Sequence, residues 1–447
     1  MGDTFRRIQR VAAIAPIYIA LLLSGCGGGG TLDLSSATNT GNACDNSTGY
    51  TPISSPVKAI AAAARISFAI ENDDSLWAWG TSTTGQLGAS EKIASVNPIK
   101  IGEGFKAISA GNGHSLGLKT DGTLWAWGNN SFGQLGNGNT TDSNVPIQIG
   151  SANDYTAVSA GLYFSLALKS DGTLWAWGDN QSGELGIGNT SNNNCIASPT
   201  PHCTAPIQVG SDNDYIAISA GTAHALALKS DYSLWAWGDN TYGELGDGCH
   251  LDATTKQPVC AIRNDTTIHS NVPELIDSGT PYGYGAIAAG YLYSLAIRND
   301  GSLMAWGNNA QADLGTGDSK AVYLVPTKIG DGYSPDADAL SASKFSVLGN
   351  TTIYYHSLAL KSDGSLWAWG DNFFGQLGDG TQTPSSVPEQ ILAGSGYAFT
   401  AVSAGDNDHS LAIKNDDGSL WAWGRNSCGD LGDGTTNPSY VPIQVSK

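Results

Sequence analysis

The five-residue word LWAWG returns along this chain at intervals that leave few folds open. The word and its variant LMAWG begin at seven positions: Leu76, Leu124, Leu174, Leu234, Leu303, Leu366 and Leu420. The second residues of successive words lie 48, 50, 60, 69, 63 and 54 positions apart. Recurrence on this scale indicates one supersecondary unit stacked many times. The chain is therefore expected to contain seven copies of one structural unit.

The tryptophans belong entirely to this repeat. All 13 of them stand inside the seven words, and Met304 fills the one remaining slot. Large aromatic side chains dominate core energetics and rarely stay exposed in such numbers. We therefore expect the paired tryptophans to pack between repeats, and a ligand-binding cage is the alternative.

Each unit contains four short segments typical of strands. In the stretch from Thr156 to Gly178, TAVSAGLYFSLALKSDGTLWAWG, three apolar runs are separated by Gly and by Asp-Gly, and a run such as VPIQIG closes a unit. Asp-Gly favours a type I′ hairpin turn, so the second and third strands should pair antiparallel. Units one and four carry Asp74-Ser75 and Asp231-Tyr232 instead, which implies different or strained turns.

The third strand is apolar on both faces, because its tryptophans point to one side while its Leu and Ala point to the other. Such a strand needs neighbours on both sides. Seven sheets satisfy one another best as a closed ring, so we predict an all-β fold, a seven-bladed β-propeller of four-stranded antiparallel blades over residues 57–447. An open β-solenoid is the alternative, and it would need polar capping repeats.

The repeat pattern AVSAG…HSLALK.DG.LWAWG.N..GQLG.G…VP..I resembles the regulator-of-chromosome-condensation repeat, and the resemblance covers roughly residues 57–447. The GQLG word is intact in three units and altered in four, beginning at Gly85, Gly133, Gly183, Gly243, Ala312, Gly375 and Gly429. The resemblance implies a seven-bladed propeller. It implies no single function, because propellers of this family serve as exchange factors, photoreceptors, inhibitors and scaffolds.

Residues 1–25 have the pattern of a secretion signal. Three arginines precede an apolar run from Val11 to Leu23, which is too short for a membrane span. The word LSGC, ending at Cys26, resembles the lipobox of bacterial lipoproteins and implies lipid attachment to Cys26. Gly27 rather than Asp follows, so the same resemblance favours the outer membrane. Residues 26–56 are rich in Gly, Ser, Thr and Asn, which predicts a flexible tether.

Six further cysteines form an even set, which in an exported protein predicts disulfide bonds. Two pairs each bracket an insertion between repeats, and the two remaining cysteines would join the tether to the last repeat. The hypothetical pairs are Cys195 with Cys203, Cys249 with Cys260, and Cys44 with Cys428. Other connectivities are equally compatible with the sequence.

The chemistry-bearing residues form no recognised catalytic motif. The chain has 21 basic and 40 acidic side chains, which disfavours nucleic acid and anionic lipid head groups as partners. A nucleophile elbow, a P-loop, an HExxH motif and an EF-hand loop are all missing, so we predict no catalytic residue, metal or cofactor. A recurring slot holds histidine in four units and is expected to be structural: His114, His224, His356 and His409.

Recognition is expected where the units differ. The segment between LG and VP is long in unit three, residues 189–205, and in unit four, residues 249–271. The slot two residues before the Gln or Glu of GQLG is aromatic in three units, and we predict a binding face around Phe132, Tyr242 and Phe374. The alternative is that these aromatics pack within their own loops.

The leading functional hypothesis is a lipid-anchored scaffold of the cell envelope that binds a protein or glycan through its blade loops and is more plausibly not an enzyme. One alternative is a polysaccharide-active hydrolase or lyase that uses carboxylates near the central channel. A lesser alternative is guanine-nucleotide exchange by family analogy, which export from the cytoplasm disfavours. The partner's identity does not follow from the sequence.

Overall fold

The computed structural model describes residues 53–90, 94–188, 195–196, 201–251, 258–260, 269–310, 313–344, 355–406 and 408–445. The predicted signal, with Cys26, and most of the predicted tether lie outside these ranges. The described strands form seven antiparallel blades in chain order, each with four main strands; blade 3 has a fifth, short strand, and a separate two-stranded hairpin interrupts blade 4. This confirms the predicted seven-bladed all-β propeller.

Blades 1 to 4 have their strands at the following positions. Blade 1 comprises Val57–Ala63, Ile66–Glu71, Leu76–Thr81 and Ala94–Gly102. Blade 2 comprises Phe105–Ala110, His114–Lys119, Leu124–Gly128 and Ser143–Gln148. Blade 3 comprises Tyr155–Ala160, Phe164–Lys169, Leu174–Asp179 and His202–Gln208, with the short strand Cys195–Ile196 on its outer edge. Blade 4 comprises Tyr215–Ala220, His224–Lys229, Leu234–Gly238 and Ser270–Asp277.

The remaining blades repeat this order. Blade 5 comprises Tyr284–Ala289, Tyr293–Arg298, Leu303–Asn308 and Val322–Gly330. Blade 6 comprises Leu340–Ala342, His356–Leu360, Leu366–Gly370 and Ser385–Gln390, with the 3₁₀ turn Ala337–Ala339 before it. Blade 7 comprises Phe399–Ala404, His409–Lys414, Leu420–Gly424 and Ser439–Gln444. A separate hairpin of Cys249–Leu251 and Pro258–Cys260 belongs to the insertion of blade 4.

The hairpin between the second and third strands confirms the antiparallel pairing but not the type I′ turn. In blade 2, the Gly122 amide donates to the Lys119 carbonyl, and Gly122 alone in this turn has a positive φ, 82°. This is a type I turn followed by a left-handed residue. Asp74 holds this position in blade 1 with a φ of 69°, and Tyr232 holds it in blade 4 with a φ of 63°. The Asp-Gly pair is therefore replaced by Asp73-Asp74 in blade 1 and by Asp231-Tyr232 in blade 4. These two turns are strained because a Cβ disfavours this conformation.

The core lies between adjacent blades. The second tryptophan of every word is fully buried, and Trp127 of blade 2 packs edge-on against Phe68 of blade 1 with ring centroids 6.0 Å apart. The first tryptophan is half-buried in five blades, and a lysine covers it in four of them, as Lys119 Nζ covers Trp125 at 4.3 Å. The predicted packing between blades is therefore confirmed for the second tryptophan of the words. The first tryptophan is less buried, and in four blades a lysine forms a cation–π contact with it.

Hydrogen bonds repeat at these boundaries. The Gln134 carbonyl of blade 2 accepts from Trp177 Nε1 and Ser165 Oγ of blade 3, both at 2.8 Å. His114 Nε2 lies 2.9 Å from the same Ser165 Oγ. Glycine is required nearby, because a Cβ on Gly161 would lie 2.7 Å from the Gly221 carbonyl oxygen of the next blade. Backbone, indole, hydroxyl and imidazole groups together thus tie the boundary between blades 2 and 3, and the same histidine–serine contact recurs at three further boundaries.

The ring closes through the same contacts. Ser67 of blade 1 donates to the Asp430 carbonyl of blade 7 at 2.8 Å and lies 2.9 Å from His409 Nε2. Trp79 Nε1 also donates to that carbonyl, at 3.0 Å. The open-solenoid alternative is therefore wrong. Ile53, predicted to be part of the tether, is 2% exposed and packs in the core cluster of blades 7 and 1.

Candidate functional site

The two faces of the propeller carry different connections. Because strands alternate in direction, loops from the first to the second strand and from the third to the fourth strand share one face, here called the loop face. The hairpin turns and the links between blades share the opposite face, here called the turn face. The chain leaves blade 3 at Asp179 and returns at His202, and it leaves blade 4 at Gly238 and returns at Ser270. Both insertions therefore begin and end on the loop face.

The three predicted binding aromatics all lie on the loop face and are half-buried. Phe132 of blade 2 stacks on Tyr163 of blade 3, with ring centroids 5.0 Å apart. The Arg425 guanidinium of blade 7 covers the Phe374 ring of blade 6 at 4.9 Å. Phe132 and Phe374 therefore contact the next blade, and Phe374 also packs against Phe373 of its own loop, with ring centroids 4.9 Å apart.

The GQLG glutamine fixes the aromatic slot beside it. Gln134 Oε1 accepts from the Phe132 amide at 2.9 Å, and Gln134 Nε2 donates to Asn129 Oδ1 at 2.6 Å. Gln376 of blade 6 makes the same pair of bonds, to the Phe374 amide and to Asp371. The amide side chain thus serves as acceptor and donor at once.

Blades 3 and 4 carry Glu184 and Glu244 in place of this glutamine. Each lies near a carboxylate at the position of Asn129, namely Asp179 in blade 3 and Asp239 in blade 4. Burial, with these neighbours, raises the pKa of both glutamates well above the usual value. Burial also raises the pKa of Asp179 to about 6.

Asp239 behaves differently from Asp179. Burial opposes its ionisation, but hydrogen bonds from His269 and Thr241 hold the pKa of Asp239 below its usual value. His269 Nδ1 lies 3.0 Å from Asp239 Oδ1, and the Thr241 hydroxyl donates to the same oxygen at 2.6 Å. The surroundings in blade 4 therefore favour ionisation of Asp239 and oppose ionisation of Glu244.

Tyrosines surround the carboxyl groups of blades 4 to 6. Tyr291 of blade 5 stacks on Tyr355 at 4.8 Å, with the two rings inclined by 19°. Burial raises the pKa of Tyr242 and Tyr291, and the carboxyl groups of Asp239 and Glu244 contribute in both. The predicted slot residue Tyr242 therefore belongs to a tyrosine and carboxyl cluster that sequence patterns did not reveal.

The first strands line the central channel, and Lys344 crosses its loop-face mouth. Lys344 extends from blade 6, and its Nζ donates to the Ala160 carbonyl of blade 3 at 2.7 Å. Its amide donates to Asp406 of blade 7 at 2.6 Å, and the Thr222 hydroxyl of blade 4 donates to its carbonyl. The seven first strands, as described, contain no Asp, Glu or His.

The four histidines of the recurring slot have the predicted hydrogen-bonding role. Each Nε2 lies 2.8–3.0 Å from a serine hydroxyl of the next blade. Burial lowers the pKa of all four to about 3 or 4, so the rings are neutral. The part of the chain that the structure describes contains no group of three or more potential metal ligands.

The cysteines follow the predicted pairing in part. Cys195 and Cys203 form a disulfide bond. Cys249 is disulfide-bonded, and its backbone pairs directly with Cys260. Cys428 has a free thiol, and its predicted partner, Cys44, lies outside the described residues, so that pairing stays a prediction.

Known sequences share this repeat. A model of the RCC1-like domain matches residues 20–348, and one of the regulator of chromosome condensation (RCC1) repeat matches residues 363–413 and 417–447. The ultraviolet-B receptor UVR8 of Arabidopsis thaliana is 30% identical over 225 residues, which cover 50% of this chain and 44% of UVR8. The probable E3 ubiquitin-protein ligase HERC6 of Homo sapiens is 28% identical over 230 residues, 51% of this chain and 19% of HERC6. The matched region thus spans less than half of either relative.

Solved structures share the architecture. Human WBSCR16 matches with a TM-score of 0.66 at 20% identity, covering 84% of this chain and 94% of that one. Prp20p from Saccharomyces cerevisiae matches with a TM-score of 0.61 at 19% identity, covering 89% and 88%. At such identities the likeness concerns the fold alone. Since the family models match most of the residues and the seven blades repeat one motif, the chain belongs to the regulator of chromosome condensation (RCC1) repeat family.

Proposed function

We propose that this chain is a lipid-anchored, exported scaffold that binds a protein partner with the loop face of its propeller. The observation that carries the proposal is that the loop face gathers the features in which the blades differ. Both insertions begin and end there, and Phe132, Tyr242 and Phe374 lie there half-buried. Variable loops on a rigid repeat scaffold are the usual location of recognition.

Catalysis in the central channel is less well supported. Lys344 crosses the loop-face mouth, and the described channel-lining strands carry no carboxylate pair of the kind that glycoside hydrolysis requires. UVR8 is a receptor and HERC6 a probable ligase, so the family selects no single activity. Binding by the loop face needs neither a channel nor a catalytic pair.

The anchor is proposed from the lipobox-like word at Cys26, which implies the cell envelope and favours the outer membrane. Across the described ranges, no helix is both long and apolar enough to cross a bilayer. Labelled palmitate should be incorporated into the wild-type chain expressed in bacteria, and Cys26→Ala should abolish both the label and membrane retention. Labelling that persists in Cys26→Ala would contradict the anchor.

The binding face is tested by affinity capture from solubilised cell envelope with the full chain as bait. The triple variant F132A/Y242A/F374A should lose the partner, because truncating central aromatic anchors typically costs about 2 kcal/mol or more each. The matched control, I216A/Y232A/Y282A, removes three exposed apolar side chains of the turn face. Circular dichroism should show that both variants keep the wild-type fold.

Two results would contradict the scaffold proposal. A partner retained by the loop-face variant and lost by the turn-face control would place binding on the wrong face. Failure to capture any protein would favour a glycan ligand or the enzyme hypothesis, and a screen for polysaccharide turnover would follow.

A further inference from the structure

In two blades the side chain of the GQLG glutamine donates a hydrogen bond to the side chain of the residue that follows WG. In blade 2, Gln134 Nε2 donates to Asn129 Oδ1, and in blade 6 Gln376 Nε2 donates to Asp371 Oδ2 at 2.8 Å. In blade 7 Arg425 follows WG and the GQLG position is an acid, Asp430, whose raised pKa the charge of Arg425 opposes. A side-chain donor thus meets an acceptor in blades 2 and 6, and a cation accompanies the acid in blade 7.

Blade 4 lacks that donor. Glu244 Oε2 accepts from the Tyr242 amide at 2.6 Å, as the glutamine oxygen does in blade 2. Its second oxygen, Oε1, replaces the glutamine NH₂ and has no hydrogen-bond partner, although Glu244 is fully buried. The nearby Asp239 carboxylate adds a second acceptor. When Glu244 is ionised, two carboxylate groups lie near each other with no side-chain donor between them, and this costly arrangement forms a site for a cation.

Aromatic rings border these two carboxyl groups. Tyr242 lies at the aromatic slot of blade 4, and Tyr291 lies on the adjoining loop of blade 5, at the position that Leu162 holds in blade 3. The carboxyl groups of Asp239 and Glu244 contribute to the raised pKa of Tyr291. We call Asp239, Tyr242, Glu244 and Tyr291 the acidic notch. Tyr242 and Tyr291 are half-buried, and the Asp239 side chain is 19% exposed, so the notch opens to solvent.

We propose that the acidic notch binds the ammonium group of a lysine side chain presented by the protein partner. Asp239 provides the ionic contact, the tyrosine rings provide cation–π faces, and Glu244 Oε1 provides the missing acceptor. This inference rests on the proposed scaffold function and adds the chemistry of the partner. The excess of acidic over basic side chains, 40 to 21, favours a cationic partner.

The notch suits an ammonium group better than a metal ion. A metal ion usually requires four or more protein or water ligands, and the described residues include no cluster of three potential ligands. An ammonium group carries three donors on a flexible stem that can pass between two rings. The three hydrogen bonds from Thr241 and His269 to Asp239 all end on Oδ1, on one side of the carboxylate.

The test is isothermal titration of the full chain with an acetylated and amidated hexalysine peptide at low salt. Glu244→Gln restores the glutamine that blades 1, 2 and 6 carry, so it should fold. It should weaken peptide binding about tenfold, because a charge-assisted contact is lost. Asp239→Asn should weaken it at least as much. Asp121→Asn removes the same charge from the turn face and should leave the affinity unchanged.

A pH series gives a second readout. Asp239, Asp247, Tyr242 and Tyr291 are the titratable groups that face Glu244. Burial raises the pKa of Glu244 and so favours its protonated form, whereas a bound ammonium group favours the ionised form, so wild-type affinity should rise as the pH increases. Glu244→Gln should abolish that rise.

Several outcomes would overturn the inference. The first is that the wild type does not bind the peptide at millimolar concentration. The second is that Glu244→Gln binds the peptide as tightly as the wild type. The third is that Glu244→Gln and Asp121→Asn lose equal amounts of peptide affinity. Equally tight binding of n-butylammonium would assign the notch to a small amine rather than to a protein. If Glu244→Gln keeps the captured envelope partner while F132A/Y242A/F374A loses it, the scaffold proposal survives and the notch inference fails.

Discussion

Ser165 links three groups across the boundary between blades 2 and 3. Its hydroxyl donates to the Gln134 carbonyl, so it must accept from His114 Nε2, and the ring is therefore the Nε2–H tautomer. One boundary lacks both members of this pair, because Phe164 of blade 3 faces Ala225 of blade 4 and both are fully buried. At this boundary histidine and serine are replaced together, which leaves no unpaired buried polar group. Between blades 1 and 2, Ile66 fills the histidine slot and Ser115 is kept, because its hydroxyl donates to the Gln86 carbonyl at 3.0 Å.

Replacing Ser165 alone should leave the buried His114 Nε2 unpaired and remove one of the two side-chain donors to the Gln134 carbonyl. We expect Ser165→Ala to lower the free energy of unfolding by about 1–3 kcal/mol, since both His114 and the Gln134 carbonyl lose a partner. The double variant H114F/S165A recreates the Phe164 and Ala225 pair and should recover part of that loss. Urea unfolding of the wild type, both single variants and the double variant measures the coupling. Strictly additive losses would show that the two side chains do not act as a pair.

The hydrogen-bonding role of the histidines could be predicted because apolar residues replace them in other units. The acidic notch could not be predicted in the same way. The sequence shows Glu244 in place of glutamine, but not that its second oxygen is buried without a donor, nor that Tyr291 from the next blade lies beside it. Those facts depend on how two loops meet across a blade boundary.

The third strand uses its two tryptophans differently. Trp177 is fully buried and donates to the preceding blade, whereas Trp175 is half-buried, donates to the Thr173 hydroxyl and lies 4.6 Å from Lys169 Nζ. Because successive side chains of a strand point to opposite faces, both tryptophans lie on the same side of the strand, as predicted. Their position along the strand decides which of them reaches solvent, and the sequence word does not encode that difference.

A methionine scan of this strand should separate the two roles. Met304 stands at the first position in blade 5 and is 7% exposed, so Trp175→Met should cost only about 1 kcal/mol. Trp177→Met should cost about 3 kcal/mol or more, because it opens a cavity and removes a hydrogen bond to a buried carbonyl. Chemical denaturation midpoints at constant m-value give both numbers. Similar losses for the two variants would show that the tryptophans are energetically equivalent.

The whole ring contains two sets of buried titratable groups with opposite pH dependence. Burial lowers the pKa of the slot histidines, so their contribution to stability is complete above about pH 6.5 and declines as the pH falls. Burial raises the pKa of Asp408 to about 8, with Arg425 opposing, and that of Asp430 to about 7. The contribution of these carboxyl groups declines as the pH rises, because the folded state retains protons that the unfolded state has lost.

We therefore expect the Tm to fall between about pH 6.5 and about pH 8.5, where the histidines are neutral in both states. Asp408→Asn should reduce the size of this fall, because it removes one group that releases a proton on unfolding. The Tm of Asp121→Asn should fall in parallel with that of the wild type, since hydrogen bonds from Thr123 hold the pKa of Asp121 below its usual value. Differential scanning calorimetry across this range provides the measurement. A Tm that rises with pH would contradict the assignment.

The amino-acid sequence by itself determined the fold class, the number of blades, the antiparallel hairpins and the structural role of the slot histidines. It could do so because each depends on local alternation repeated seven times, and a repeat makes every local pattern visible several times over. The same logic indicated that recognition lies in the variable loops.

Only the tertiary structure decided which long-range contacts form. Ser67 lies against His409, 342 residues away, and Lys344 reaches Ala160, 184 residues away, across the mouth of the channel. Closure of the ring also sets which tryptophan is buried and which carboxyl groups meet without a donor. These contacts follow from the curvature and spacing of seven packed blades, and the period of a single blade does not specify that geometry.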